Sequence, residues 1–169
     1  MTKTVIINGA NARTSRVNAI QQYIQENLEE VEAIEVFALP AEDLISANFA
    51  SEAIRKANAK VEQADVVVVL TPVYKAAYSG ILKTYLDLIP QKGFEEKHII
   101  PIAVGGTPHH LLAIDYALKP VLTALGATSI SHGVFIVDKQ IERTAQGFTI
   151  EDDIQTRINQ QLIRNEVTV

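Results

Sequence analysis

The fold is decided by the stretch Val66-Val67-Val68-Val69-Leu70-Thr71-Pro72-Val73-Tyr74-Lys75-Ala76-Ala77-Tyr78-Ser79-Gly80-Ile81-Leu82-Lys83. It begins with a run of apolar, mostly β-branched residues, which is typical of a strand buried on both faces of a parallel sheet. Thr71-Pro72 is expected to end this strand, because proline has no N–H to give to a ladder. A loop with two tyrosines follows, and Ser79-Gly80 then begins a helix. Open α/β sheets bind ligands at the carboxyl ends of their strands, so this loop is a candidate ligand loop.

The composition is that of a single globular domain, expected to span residues 1–169. Of the 169 residues, 47% are hydrophobic, and the net charge is −5. Nucleic-acid binding needs concentrated Lys and Arg, and a membrane span needs about 20 apolar residues in a row, so neither partner is expected. The chain has no cysteine. Disulfides, thiolate metal sites and cysteine nucleophiles are therefore excluded, and a cytoplasmic location is expected.

Strand and helix patterns alternate along the chain. The predicted strands are Lys3–Asn8, Ile34–Leu39, Val66–Leu70, His98–Val104 and Ile130–Val137. Apolar residues at helical spacing predict helices over 17–31, 54–61, 80–89, 111–125 and 150–162. This alternation predicts a doubly wound, five-stranded parallel sheet in the order 2-1-3-4-5 with helices on both faces.

That strand order brings three loops to one edge of the sheet: Gly9–Asn18, Pro72–Gly80 and Gly105–His110. Two prolines fit the pattern less easily. Pro101 is expected at a strand start or a bulge, because it removes a ladder hydrogen bond. Pro120 is expected to kink the helix that begins near His110.

The first loop has the composition of a phosphate site. A loop between a strand and a helix offers backbone N–H groups and the positive end of a helix dipole. This one also carries Thr14, Ser15 and two arginines, Arg13 and Arg16. Arginine makes strong charge-assisted hydrogen bonds to a dianionic phosphate. Taken alone, however, the loop is equally compatible with a solvated polar segment that caps a helix.

The other two loops suit a flat ligand. Tyr74 and Tyr78 are candidates for stacking on an aromatic ring, although Tyr78 is better explained by packing under the loop or by a subunit contact. Gly105-Gly106 permits close backbone approach, and an ordinary tight turn explains it as well. His109 and His110 are adjacent, point about 100° apart on a helix and do not favour a shared metal. Tyr78-Ser79-Gly80 lacks the glycine before the serine that a nucleophile elbow requires.

Two long motifs, extended by shorter matches, resemble a known family. They are Thr71–Gly80, continued by Leu82-Lys83-Thr84 and Leu86-Asp87-Leu88, and His110–Leu122; His132–Phe135 also matches. The chain resembles the NADPH-dependent FMN reductases, in particular the reductase component of two-component alkanesulfonate monooxygenase systems. The resemblance covers about Val5 to Arg157.

The resemblance implies a flavodoxin-like fold, an FMN site on the three loops, and NADPH or NADH as reductant. It also implies a flavin-dependent monooxygenase as partner, and homodimers or homotetramers formed through the helix of Tyr116, where the subgroup has a π-bulge. Hydride transfer from the nicotinamide to the flavin needs no side-chain acid or base, so no catalytic residue is predicted.

The resemblance assigns most of the predicted site. The matching positions are Ser15, Arg16 and Asn18 in the first loop, Pro72, Val73, Tyr74 and Lys75 in the second, and Gly105, Gly106 and Thr107 in the third. The family's first loop usually begins Gly-Ser-x-Arg, whereas this chain has Gly9-Ala10-Asn11-Ala12. Arg13, one position later, is the candidate replacement for that arginine. Arg13 and Lys75 are also candidates to meet a nucleotide phosphate.

Four functions are compatible with the sequence. The first is an NAD(P)H-dependent FMN reductase that treats FMN as a substrate and supplies a monooxygenase. The second is a reductase with bound FMN that acts on quinones or azo compounds. The third is an electron-carrying flavodoxin, disfavoured because Ala10, Ala12 and Val17 replace the polar residues of a tight phosphate loop. The fourth is a non-catalytic assembly module that has lost FMN.

Overall fold

The computed structural model describes residues 2–163, so residues 1 and 164–169 of the predicted domain lie outside the described part. Its strands are β1 (Thr4–Asn8), β2 (Val31–Glu35), β3 (Val66–Tyr74), β4 (Ala77–Tyr78), β5 (His98–Gly105), β6 (Ser129–Ile130), β7 (Val134–Val137), β8 (Ile141–Thr144) and β9 (Gly147–Ile150). Its α-helices are α1 (Val17–Asn27), α2 (Ala41–Ile45), α3 (Glu52–Gln63), α4 (Gly80–Leu86), α5 (Lys119–Ala124) and α6 (Asp152–Ile163). Short 3₁₀ turns cover Val36–Ala38, Pro108–His110 and Asp138–Gln140.

The main sheet is parallel and has the order β2-β1-β3-β5, with β6 and β7 both beside β5. The predicted doubly wound, flavodoxin-like class is therefore confirmed, although the sheet within residues 2–163 has seven strands rather than the predicted five in the order 2-1-3-4-5. Three details differ from the prediction. The fifth strand is split into β6 and β7, β4 pairs antiparallel with the end of β3, and β8 and β9 form a separate hairpin.

Alternate residues of the buried strands face opposite layers of helices. Val67 and Val69 of β3 belong to a core cluster with residues of α3, α4 and α5. Val68 and Leu70 belong to a second cluster with residues of α1 and α6. A strand with an apolar residue at every position is what this two-sided burial requires. None of the helices over residues 2–163 is long and apolar enough to cross a membrane.

The prediction that Thr71-Pro72 ends the third strand is wrong. β3 continues to Tyr74, and Pro72 lies opposite Val104 of β5. The proline is tolerated because β1 has already ended: Asn8 lies opposite Leu70, so β3 has no β1 residue beside it beyond that point. A strand that is paired on one side alone can hold a residue without an N–H. The extra length carries Tyr74 past the edge of the sheet.

Pro101 lies inside β5 rather than at its start, and the irregularity appears in the neighbouring strand. Ile99 pairs with Ile130 of β6, and Ile102 pairs with Val134 of β7, so the ladder is interrupted opposite Pro101. The missing N–H of proline explains the gap, since no ladder bond can form there. Gly133 fills the gap with a positive φ of +80°.

Several helix and strand boundaries differ from the predicted ones, because an apolar residue that fitted the helical spacing belongs to a neighbouring element. α1 ends at Asn27, and Val31, predicted in that helix, begins β2; the predicted second strand instead becomes a 3₁₀ turn after Glu35. α4 ends at Leu86 rather than near residue 89. Ile150, predicted in the last helix, belongs to β9. These boundaries depend on which element buries the residue, which periodicity alone does not specify.

A π-helical segment, Ile114–Leu118, precedes α5. It contains Tyr116, where the resemblance implied a π-bulge. Pro120 is the second residue of α5, which follows the π-helical segment without a break, so the helix changes from π to α next to the proline. The kink at Pro120 stays a prediction. Tyr116 is 78% exposed.

Candidate functional site

A cleft of about 310 Å³ opens at the carboxyl edge of the sheet. It is bordered by all three predicted loops and by the β7–β8 segment. Its lining residues are Asn11, Ala12, Thr14, Ser15, Arg16, Val17, Pro72, Val73, Tyr74, Val104, Gly106, Asp138 and Arg143. The topology thus brings the loops after β1, β3 and β5 together, as the strand order predicted.

Side-chain amides shape the first loop. The Asn8 Oδ1 atom accepts from the Ala10 N–H at 2.9 Å, and the Asn8 Nδ2 atom donates to the Asn18 Oδ1 atom at 2.8 Å. The Asn18 Nδ2 atom in turn donates to the carbonyls of Ala12 and Arg13, both at 2.8 Å. Asn18 therefore stabilises the loop conformation through these hydrogen bonds, and it is not among the residues that line the cleft.

The first loop presents backbone donors without partners. The N–H groups of Asn11, Ala12, Arg13, Thr14 and Arg16 make no hydrogen bond to any residue in the 2–163 range. Residues 11–14 are exposed, and the loop leads directly into α1. A group of unpaired N–H donors at the start of a helix is suited to a phosphate oxyanion. The residues present therefore fit the phosphate of FMN.

Three arginines lie in or beside this loop and differ in orientation. Arg16 lines the cleft, and its Nε atom donates to the Ile141 carbonyl at 2.9 Å. Arg143 also lines the cleft, and its Nη2 atom donates to the Thr14 carbonyl at 2.6 Å. Arg13 instead has its guanidinium 5.8 Å from the centroid of the Phe37 ring, a cation–π contact, and it does not line the cleft.

The second loop is tied to the first through Ser79. The Ser79 hydroxyl donates to the Gly9 carbonyl at 2.6 Å, and the Thr71 Oγ1 atom accepts from the Ser79 N–H at 2.9 Å. Gly9 is packed closely here, because a Cβ atom at Gly9 would lie 2.7 Å from the Leu82 Cβ atom. The sequence pattern gave Ser79 the role of starting α4, which it has, but not this bridge between loops.

Tyr74 closes one side of the cleft. Its side chain is 52% exposed, and Lys75 and Ala76 form a two-residue turn between β3 and β4 with φ angles of 50° and 62°. Positive φ at both central positions matches the twist that such a hairpin needs. The turn reverses the chain, so that β4 leads back to Ser79. Lys75 does not line the cleft.

The third loop contributes Gly106 to the cleft. Gly105 is buried beneath it, because a Cβ atom there would lie 2.8 Å from the Phe135 ring. Thr107 caps the following turn, its Oγ1 atom accepting from the His109 N–H at 3.3 Å. A Cβ atom at Gly106 would have one neighbour within 4 Å, the Asp138 Oδ2 atom at 3.9 Å. Asp138 therefore lies at the Gly106 end of the cleft.

The structure divides the predicted site residues into two groups. Those that line the cleft are Ser15, Arg16, Pro72, Val73, Tyr74 and Gly106. Those outside the lining are Arg13, Asn18, Lys75, Gly105 and Thr107. Asp138 and Arg143 were missed, because they lie after the last sheet strand, in a 3₁₀ turn and a hairpin that no periodic pattern predicted. The flavin-binding role of each residue stays a prediction.

A doubly wound parallel sheet, with unpaired N–H donors after β1 and an exposed tyrosine at the end of β3 on the same edge, is typical of the flavodoxin-like class of nucleotide-binding proteins. Comparison with known proteins identifies the family. The chain belongs to the NADPH-dependent FMN reductase family, whose model matches residues 2–142. The family, the oxidoreductase class and the FMN–nicotinamide pair predicted from the motifs are thereby confirmed.

Two curated relatives and one solved structure illustrate the similarity. The FMN reductase (NADPH) of Escherichia coli (strain K12) is 41% identical over 165 residues, which is 95% of this chain and 86% of the relative. The FMN reductase (NADPH) of Pseudomonas putida (strain KT2440) is 44% identical over 141 residues, covering 81% of this chain and 72% of the relative. The apo crystal structure of an NADH:FMN oxidoreductase (EMOB) superposes with a TM-score of 0.83 at 29% identity, covering 97% of this chain and 88% of that one.

Proposed function

We propose that the protein binds FMN from solution, reduces it with a hydride from NADPH or NADH, and releases it for a flavin-dependent monooxygenase. The observation that carries this proposal is the set of unpaired N–H donors in the first loop, beside an open cleft. A half-exposed Tyr74 and an exposed first loop suit a ligand that enters and leaves.

The chain's own contribution is binding and orientation. The first loop holds the phosphate, Tyr74 flanks the ring, and Gly106 lets a flat ring approach the backbone. Bound FMN supplies the hydride acceptor. Holding the nicotinamide against the flavin ring replaces a bimolecular encounter with a fixed geometry, and this requires no acid or base from the protein. Hence no catalytic side chain is assigned.

The alternative functions differ in how they use the flavin. A quinone or azo reductase would retain FMN through purification and pass electrons to an organic acceptor. A flavodoxin-type carrier would bind FMN tightly and exchange electrons with proteins. An assembly module would bind no flavin. The exposed first loop favours the substrate role over the two tight-binding functions.

We expect oxidation of NADPH or NADH by the purified protein to require added FMN and to saturate with it. Nicotinamide absorbance measures the rate, with and without FMN, and a parallel fluorescence titration measures flavin binding. Turnover without added FMN, together with flavin retained on the protein, would favour the quinone or azo reductase. Absence of both turnover and flavin binding would contradict the proposed reductase and favour the assembly module.

The pairing surface proposed for homodimers or homotetramers is the helix of Tyr116. Leu111 and Leu112, just before the π-helical segment, are 52% and 53% exposed, so three large apolar side chains lie open on one stretch. Large exposed apolar side chains grouped in this way are typical of an interface. The proposed occupant is the same helix of a second copy, as the family resemblance implies.

We expect micromolar wild-type protein to sediment as a dimer or tetramer, and Tyr116→Ala together with Leu112→Ala to lower the assembly state. The matched control is Phe49→Ala, which removes a side chain that is 64% exposed elsewhere on the surface. A wild-type protein that sediments as a monomer would overturn the pairing, as would an equal effect of the control.

Two further features belong to this proposal. The whole chain, 1–169, acts as one domain, supported by the continuous sheet and its two helix layers. The protein works in the cytoplasm, supported by the absence of cysteine and by the use of a nicotinamide nucleotide.

A further inference from the structure

We infer that Arg143 of the β8–β9 hairpin binds a phosphate monoester at the first loop, an inference that rests on the proposed function. Such a group occurs in FMN and also in the 2′-phosphate of NADPH. Arg143 lies outside the three loops that the fold places at the ligand edge.

The position of Arg143 is fixed by the strand that carries it. β8 begins at Ile141, whose side chain is fully buried in the core. Side chains two apart on a strand point to the same face, so Arg143 shares the inward side of Ile141, while Glu142 faces the other way. The backbone of Ile141 is held in turn by Arg16, whose Nε atom donates to its carbonyl. Arg143 is thus directed at the cleft.

The guanidinium reaches the phosphate-binding part of the loop. Its Nη2 atom lies 2.6 Å from the Thr14 carbonyl, inside the segment that carries the unpaired N–H groups of residues 11–14. This bond occupies one of the five N–H donors of an arginine. Arg143 makes no other hydrogen bond to the described residues, so its remaining donors are available to an oxyanion bound at this loop.

The charges around the cleft are compatible with this role for Arg143. Arg13 is turned onto the Phe37 ring. Arg16, in contrast, lines the cleft together with Arg143 and, like it, gives one donor to a backbone carbonyl. Asp138, the acid that lines the cleft, lies near Gly106, and no ion pair joins it to Arg143 in the described part of the chain. The loop end of the cleft is therefore cationic, as a dianionic ligand requires.

The test measures dissociation constants for FMN, riboflavin, NADPH and NADH from the fluorescence of each ligand, with wild-type protein and with Arg143→Gln. Riboflavin lacks the phosphate of FMN, and NADH lacks the 2′-phosphate of NADPH. We expect Arg143→Gln to weaken binding of the phosphorylated member of one pair about 10- to 100-fold, the usual range for a lost hydrogen bond to a charged group. The unphosphorylated member should bind unchanged.

Two variants sharpen the result. Arg55→Gln is the matched control, because Arg55 is also a surface arginine whose Nη2 atom donates to a carbonyl, that of Ala50 at 2.9 Å, but lies far from the cleft. Arg143→Lys keeps the positive charge but lacks the planar guanidinium. We expect its affinity for the phosphorylated ligand to lie between those of the wild type and Arg143→Gln.

The outcomes separate the two ligands and the two proposals. If Arg143→Gln loses affinity for FMN but not for riboflavin, Arg143 binds the flavin phosphate. If it loses affinity for NADPH but not for NADH, Arg143 binds the 2′-phosphate of the nucleotide. If Arg143→Gln leaves both ratios unchanged while the wild type binds FMN, the inference fails and the proposed function stands. A wild-type protein that binds no flavin would overturn both.

Discussion

Replacing Gly106 with valine is expected to weaken FMN binding about 10- to 100-fold, equivalent to about 1.4–2.8 kcal/mol, while leaving the folded protein intact. Gly106 is an exposed residue of the cleft wall, and a Cβ atom there would meet one atom within 4 Å, on Asp138. The added side chain therefore fills ligand space rather than the core. Flavin fluorescence titration measures the affinity, and thermal unfolding measures the fold.

The control for this variant is Gly80→Val. A Cβ atom at Gly80 would meet nothing within 4 Å, and Gly80 lies at the start of α4, outside the cleft. We expect its FMN affinity to equal that of the wild type. If Gly106→Val bound FMN as tightly as Gly80→Val, the flavin ring would have to lie away from the third loop, and the proposed pose would be wrong.

Replacing Gly133 with alanine is expected to lower the free energy of unfolding by about 2–5 kcal/mol, combining left-handed backbone strain with overpacking. Gly133 has a φ of +80°, and its Cβ atom would lie 2.5 Å from the Pro101 carbonyl oxygen and 3.0 Å from its Cγ atom. Neither contact can relax easily, because both atoms belong to a buried proline in β5. Urea or thermal denaturation measures the loss.

Gly147→Ala separates strain from clash. Gly147 also has a positive φ, +135°, but a Cβ atom there would meet nothing within 4 Å. The free energy of unfolding of this control should fall by about 1–3 kcal/mol, the usual cost of a strained backbone. That loss is expected to be smaller than the loss for Gly133→Ala. Equal losses would mean that the gap opposite Pro101 accommodates a methyl group and that the close contact with Pro101 does not add to the backbone strain.

The sheet was predictable because its chemistry is local. Val66–Leu70 is apolar at every position, and two-sided burial in a parallel sheet is the arrangement that uses such a run. The order of the strands followed from right-handed crossovers. The extension of β3 through Pro72 was not predictable, because it depends on where β1 ends. That is a relation between strands, which a single segment does not contain.

The site was predictable to the extent that loops define it. Ser15, Tyr74 and Gly106 lie at or after the carboxyl ends of three different strands, and the topology brings them to one cleft. The orientation of the arginines was not predictable, since Arg13 is directed by the Phe37 ring and Arg16 by a carbonyl of the hairpin. The hairpin escaped prediction because it is short and borders no strand of the main sheet.

The two hydrogen bonds that join the first loop to this hairpin, from Arg16 to Ile141 and from Arg143 to Thr14, connect segments more than a hundred residues apart. The hairpin takes no part in the main sheet, and apart from Ile141, which is buried in the core, the side chains of β8 are exposed, so those positions can change without altering the sheet. It nevertheless touches the loop that would grip the phosphate. With the proposed phosphate site, we expect changes at the exposed positions of the hairpin to alter the dissociation rate of the flavin rather than the stability of the fold.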